Sequence, residues 1–209
     1  YGHFGGAVSI NDDGSIAAIG HSRYNSAEGG FHIYTRSGSG AGTWTEQGIF
    51  TASESGVGSS VTHSYEAYLG GPKLSGNGQY VIMGHRTASS FTGQAYIFTG
   101  SGSSWSQQAT ITSSGADYHG TSDYWGQSVD INKTGEYVIV GGTQNGKPHM
   151  YQRLGYATIH LRTGTSWAQQ AILVASDRAG GDEFGTDVCI SGDGLYAAVQ
   201  AKEDDESYS

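Results

Sequence analysis

The sequence is short of most of the residues that would stiffen or cross-link it. It holds one cysteine, Cys189, in 209 residues, so no disulfide can close within it and no thiolate zinc site can be assembled. Proline occurs twice. Glycine occurs 35 times but without a three-residue period, which excludes a collagen helix. No apolar run approaches the length of a membrane-spanning helix, and no stretch reads as a long amphipathic one. Basic residues number 10 against 19 acidic ones, a net charge of −9, and a phosphate backbone would be repelled by such a surface. There is no G-x-S-x-G elbow, no phosphate loop and no catalytic cysteine setting, and nothing selects a carboxylate pair, so the chain reads as a non-enzyme. It opens at Tyr1 with no signal peptide in view, and the expectation is a mature or partial chain.

What is present is repetition. Aromatic–glycine starts at Phe4-Gly5, Trp125-Gly126 and Phe184-Gly185, with a variant at Tyr68-Leu69, open four segments. Each leads through a short apolar run into a turn: Asn11-Asp12-Asp13-Gly14, Gly76-Asn77-Gly78, Lys133-Thr134-Gly135 and Gly192-Asp193-Gly194. A second apolar run follows each turn. Glycine supplies the positive φ that tight hairpins need, so these links are predicted hairpin turns. A second signature lies between the starts: Thr43-Trp44-Thr45-Glu46-Gln47, Ser104-Trp105-Ser106-Gln107-Gln108 and Ser166-Trp167-Ala168-Gln169-Gln170. Before each stands an alternating run such as Phe31-His32-Ile33-Tyr34. All four tryptophans fall at repeat positions.

The pattern predicts an all-β chain of propeller-like blades, four antiparallel strands each, over residues 1–209 as one repeat domain. Repeats start near 4, 68, 125 and 184. The last is incomplete, giving about three and a half copies, so a closed ring requires further chain or a neighbour. Pro72 marks the first strand of the second copy as irregular.

The phrases Asp177 … Gly181-Asp182-Glu183-Phe184-Gly185 and Ser191-Gly192-Asp193-Gly194, with Trp167-Ala168-Gln169-Gln170 upstream, resemble FG-GAP repeats of the integrin-α propeller type. The resemblance covers essentially the whole chain. It implies a scaffold used in adhesion, lectin and assembly roles, and an extracellular location despite the scarcity of disulfides. The expected function is an extracellular structural or adhesive repeat protein, self-assembling into filaments by completing blades between subunits. The alternative is a propeller lectin or calcium-assisted adhesin. Expected partners are other copies, further repeats of a longer chain, or glycans, with no nucleic acid and no membrane span.

Integrin-type repeats often hold calcium on loops of alternating Asp and Asn oxygens. Here no cofactor is expected as a rule, and calcium has only weak candidate ligands in Asp117, Asp123, Asp177 and Asp182, because the ion needs six to eight oxygens. His21 and His85 occupy equivalent positions without a repeating carboxylate, which favours a repeat echo over a metal site. Trp44, Trp105 and Trp167 suit seams between blades better than sugar stacking. With them, Phe4, Trp125 and Phe184 are the structural repeat positions. One sequon, Asn132-Lys133-Thr134, lies on a predicted turn, where exposure would make Asn132 a glycosylation site.

Overall fold

The computed structural model describes residues 4–21, 30–52, 71–114, 123–144 and 153–202. The first sheet holds β1 (Phe4–Ile10), β2 (Ile16–His21), β3 (Gly30–Ser37) and β4 (Thr43–Phe50), in that order. The second holds β5 (Lys73–Leu74), β6 (Tyr80–His85), β7 (Gln94–Ser101) and β8 (Ser104–Ile111), with one helical turn, α1 (Ala88–Phe91), between β6 and β7. The third holds β9 (Ser128–Ile131), β10 (Tyr137–Gly142), β11 (Tyr156–Thr163) and β12 (Ser166–Leu173). A two-stranded sheet, β13 (Asp187–Ile190) and β14 (Ala197–Gln200), completes the described residues. All pairings within these sheets are antiparallel. The sheets follow one another as propeller-like blades and do not close. Pro72 has no N–H to give a ladder, and β5 beside it is cut to two residues.

Four hairpin turns join the first two strands of each sheet, and they use one hydrogen-bond pattern written with two residue sets. Gly14, Gly78, Gly135 and Gly194 take φ between +67° and +75°, and each donates its N–H three residues back. In the first and third turns an asparagine does the rest. Asn11 Oδ1 accepts the N–H of Ser15 and Ile16, and Asn132 Oδ1 accepts those of Glu136 and Tyr137. In the second and fourth turns two short side chains share the task. Ser75 Oγ accepts from Tyr80 N–H while Asn77 Oδ1 accepts from Gln79 N–H; Ser191 Oγ accepts from Tyr196 N–H while Asp193 Oδ1 accepts from Leu195 N–H. The serine hydroxyl donates to its Asx partner in both cases. That hydroxyl holds the Asp193 carboxyl below the usual carboxylate range.

The turns also bond to one another. Asp12 N–H reaches the Gly76 carbonyl, Asn77 N–H the Lys133 carbonyl, and Lys133 N–H the Gly192 carbonyl, at 2.9 to 3.1 Å. The Lys133 ammonium meets the Asp12 carboxylate at 3.0 Å, so the third turn bends back to the first and the row curves. Both groups are exposed, and such a pair adds at most about 1 kcal/mol.

The core lies in the seams between sheets, not inside any one of them. Ala18, Phe31 and Ile33 of the first sheet meet Val81, Tyr96, Phe98 and Trp105 of the second. Ile82, Ala95 and Ile97 of the second meet Trp125, Val129, Val138 and Tyr156 from the third sheet and the segment leading into it. Ile139 and Ala157 of the third meet Val188 and Ile190. Alternation along each strand sends successive side chains into opposite seams. Each large apolar side chain buried this way contributes about 2 kcal/mol.

Candidate interaction faces at the ends of the sheet row

Every seam is built from recurring parts. In the first, Ser9 Oγ on β1 accepts the N–H of Leu74. In the third, Asp130 Oδ2 on β9 accepts the N–H of Ile190. Burial pushes the Asp130 carboxyl above the usual range, while backbone N–H groups from Ile190 and Ile131 and the charge of Lys73 pull it back. The residue two places after each of the first three turn glycines covers the turn glycine of the following sheet. Ile16 covers Gly78, Tyr80 covers Gly135 and Tyr137 covers Gly194. A Cβ built on Gly194 would stand 2.7 Å from the Tyr137 ring, and one on Gly135 would overlap the Tyr80 ring. In the second seam a cation joins this contact: the Arg162 guanidinium stacks over the Tyr80 ring, 4.6 Å from its centroid, while its Nε donates to the Gly135 carbonyl.

The outer strands carry their own ties. Trp105 is buried in the first seam, with its indole N–H on the Gly102 carbonyl. Trp167 packs into the second, its indole N–H donating to Gln108 Oε1 at 3.2 Å. Gln169 exchanges two hydrogen bonds with the Ser114 backbone. The aromatic starts act at the other end: Trp125 and Phe184 form parallel bridges to Gly93 and Gly155, the residues just before β7 and β11.

Among the described residues two faces have no seam. On the first sheet Val8 is 68% exposed and Ile10 56%, where the equivalent Val129 and Ile131 are 2% and 6% exposed. Phe4 and Trp44 are exposed on the same face. Beside them a polar strip replaces the buried rings of the second sheet. His21 Nδ1 lies 3.3 Å from His32 Nε2, and His32 Nδ1 lies 2.8 Å from Glu46 Oε1. The two imidazoles stack, Phe4 packs edge-on against both, and the Tyr34 hydroxyl donates to Glu46 at 3.5 Å. Desolvation first, then the Glu46 charge, raises the Tyr34 phenol. On the two-stranded sheet at the other end Leu195, Tyr196 and Cys189 are exposed.

Several buried polar groups are paired inside the fold. Trp125 Nε1 donates to Thr158 Oγ1 at 3.0 Å, and that hydroxyl lies 3.1 Å from His160 Nε2. One arrangement serves all three: the hydroxyl accepts from the indole and donates to a neutral imidazole. Burial lowers the His160 pKa to about 4, in keeping with that neutral ring. The Tyr156 hydroxyl donates to Asp123 Oδ2, and burial, then the Asp123 charge, drives the phenol pKa up.

The sequence candidates fall in separate places. Asp123 and Asp182 are buried at equivalent positions in the loops entering the third and fourth sheets. Each precedes a residue of positive φ, Tyr124 and Glu183, and Asp182 Oδ2 accepts the Ala179 N–H. Asp177 is exposed on the loop before Asp182. Asp117, Tyr68 and the acidic run 203–206 lie outside the described residues. Among the described residues no three His, Cys, Asp or Glu side chains converge as metal ligands. His21 and His85 end equivalent strands, β2 and β6, in different sheets.

Asn132 is buried in its turn rather than exposed on it. It is 1% exposed, its oxygen holds two backbone N–H groups and its nitrogen donates to Thr134 Oγ1, so the nitrogen a glycan would need is inside the turn. The tyrosine–glycine–arginine contact was not read from the sequence. Its signal is Gly-x-Tyr at 78–80, 135–137 and 194–196, with Gly-x-Ile in the first copy.

Residues 167–209 match the family model of the FG-GAP repeat. The three preceding copies in the sequence, and the three four-stranded sheets they form, place the rest of the chain in the same repeating architecture. No curated protein matches the sequence. Among solved structures, TolB from Acinetobacter baumannii aligns at 10% identity and a TM-score of 0.48, over 92% of this chain and 36% of that one. Pyrococcus horikoshii acylaminoacyl peptidase aligns at 8% identity and 0.42, over 84% of this chain and 26% of its own. The β-propeller domain of the Trilobed protease from Pyrococcus furiosus aligns at 9% identity and 0.38, over 100% and 66%. This chain thus spans about a third or less of the first two. Likenesses this remote carry no activity with them. No helix among the described residues is long and apolar enough to cross a membrane.

Proposed function

We infer that the chain is an extracellular structural or adhesive protein that works by packing sheets against partners rather than by catalysis. The observation that carries this is the pair of uncovered faces. The apolar positions exposed on the first sheet are those which later sheets bury, so this surface is built to be covered. Buried titratable groups support a non-catalytic reading, since Tyr156 is bonded to Asp123 and His160 lies against Thr158, all within the fold. The FG-GAP match supports the extracellular setting. Self-association into a row of sheets is the mode of action the exposed faces fit. A sugar-binding role has less support, because two of the three repeat tryptophans, Trp105 and Trp167, are engaged in seams.

Electron microscopy of the purified protein over a range of concentrations tests this. Strings or filaments with a regular repeat support it. Dispersed single particles that also fail to bind cell surfaces in a pull-down would sink it.

A further inference from the structure

We propose that the two uncovered faces fit each other, so that Tyr196 of one copy docks on Gly14 and Arg36 of a second copy. The inference rests on the self-association reading and names its contact.

The second seam shows the complete contact. There Tyr80 lies between a turn glycine, Gly135, and an arginine, Arg162, which follows the third strand's pairing with that turn. Arg36 holds the same place in the first sheet: its N–H bonds the Ser15 carbonyl as that of Arg162 bonds Glu136. Its guanidinium lies 3.9 Å from where a Gly14 Cβ would stand, and the nearest other atom, Ile10 Cδ1, is 3.8 Å away. Among the described residues the glycine–arginine pair is therefore assembled on the first sheet with no aromatic ring on it. Tyr196 is the matching half. It occupies the position of Tyr80 and Tyr137, yet it is 74% exposed.

The first seam shows that these parts change together. Where isoleucine, Ile16, replaces the tyrosine, glycine, Gly100, replaces the arginine, its N–H on Gln79 as Arg36's is on Ser15. An arginine at 36 thus matches a tyrosine and not an aliphatic residue. The fitting tyrosine is at 196, on the opposite end of the row. Val8 and Ile10 would be covered by the same docking, as Val129 and Ile131 are in the second seam. A contact between unlike faces leaves one of each free, so copies add in a row.

The test uses the full chain and two variants at exposed positions, Val8→Glu on the first face and Tyr196→Ala on the fourth, with far-UV circular dichroism to confirm each is folded. Sedimentation velocity reads the mass. Wild type is expected to grow with concentration, each variant alone to stay monomeric, and an equimolar mixture of the two to form a 1:1 dimer that grows no further. In that dimer Tyr196 of the Val8→Glu copy meets the intact first face of the other. Arg36→Ala is expected to weaken growth about 5-fold, the loss of one cation–π contact. If wild type assembles and Tyr196→Ala assembles equally well, the proposed contact is wrong while self-association stands. If wild type stays monomeric at all concentrations, both fall.

Discussion

Asp130 and Ile190 sit on neighbouring inner strands of the third and fourth sheets, and the carboxylate takes the isoleucine N–H at 2.9 Å. A carboxylate is a costly acceptor in a seam, and burial raises its pKa. Because the folded state holds the proton more firmly than the unfolded one, this group favours folding at low pH, and the benefit is lost as pH rises through the folded value. Asp130→Asn keeps an acceptor without the charge. It is expected to raise stability at pH 7, by up to about 1 kcal/mol, with the gain shrinking toward pH 4. Asp130→Ala strands the N–H and is expected to cost about 1–3 kcal/mol. Urea unfolding at the two pH values checks both.

His160 titrates in the opposite sense. Its folded pKa is about 4 against an ordinary 6.5, so the unfolded chain binds the proton first. Stability is expected to fall as pH drops from about 6.5 to about 4, by on the order of 3 kcal/mol in total. His160→Phe, which installs the residue found at the equivalent Phe98, is expected to flatten this window and leave Thr158 bonded to Trp125. Melting temperatures measured between pH 4 and 7 decide; an unchanged slope would contradict a neutral buried ring.

The two residue sets of the hairpin turns are expected to be interchangeable as pairs and not singly. Asn132→Ser leaves Tyr137 N–H with an acceptor but Glu136 N–H without one, at a cost of about 1–2 kcal/mol. Adding Thr134→Asp rebuilds the pair seen at Ser191 and Asp193 and is expected to recover most of that loss. A double-mutant cycle in chemical denaturation measures the coupling. Simple additivity would show that the two spellings are not equivalent.

Gly14 and Gly135 share a φ near +67°, so alanine strains both alike, by about 1 kcal/mol. Only Gly135 lies under a ring, that of Tyr80. Gly135→Ala is therefore expected to lose clearly more stability than Gly14→Ala, and the difference, read by thermal unfolding, isolates the seam. Equal losses would mean that the ring gives way freely.

The sheets and turns were legible because local chemistry fixes them. Gly14, Gly78, Gly135 and Gly194 announce hairpins, and the alternating runs beside Trp44, Trp105 and Trp167 announce strands. The seams were less so. Asp130 looks like any polar residue in a strand until Ile190 comes to rest beside it, and Arg162 meets Tyr80 across 82 positions of sequence. The burial of Asn132 was not legible because the sequon pattern does not record where its carboxamide turns. Its two backbone partners, Glu136 and Tyr137, lie just downstream, but binding them draws the side chain inward.

Because the apolar clusters lie between sheets, no sheet possesses a complete core of its own. The second and third are gripped on both sides, while the first and the two-stranded sheet are each gripped on one. Opening fluctuations will therefore start at the two outer sheets and travel inward, as in a stack whose stability is shared between nearest neighbours. Amide protons of β6 and β10 will exchange with solvent last. A ligand or second copy that covers Val8 and Ile10 will slow exchange throughout β1 and β2, so occupancy of that face can be followed from backbone amides that never touch the partner.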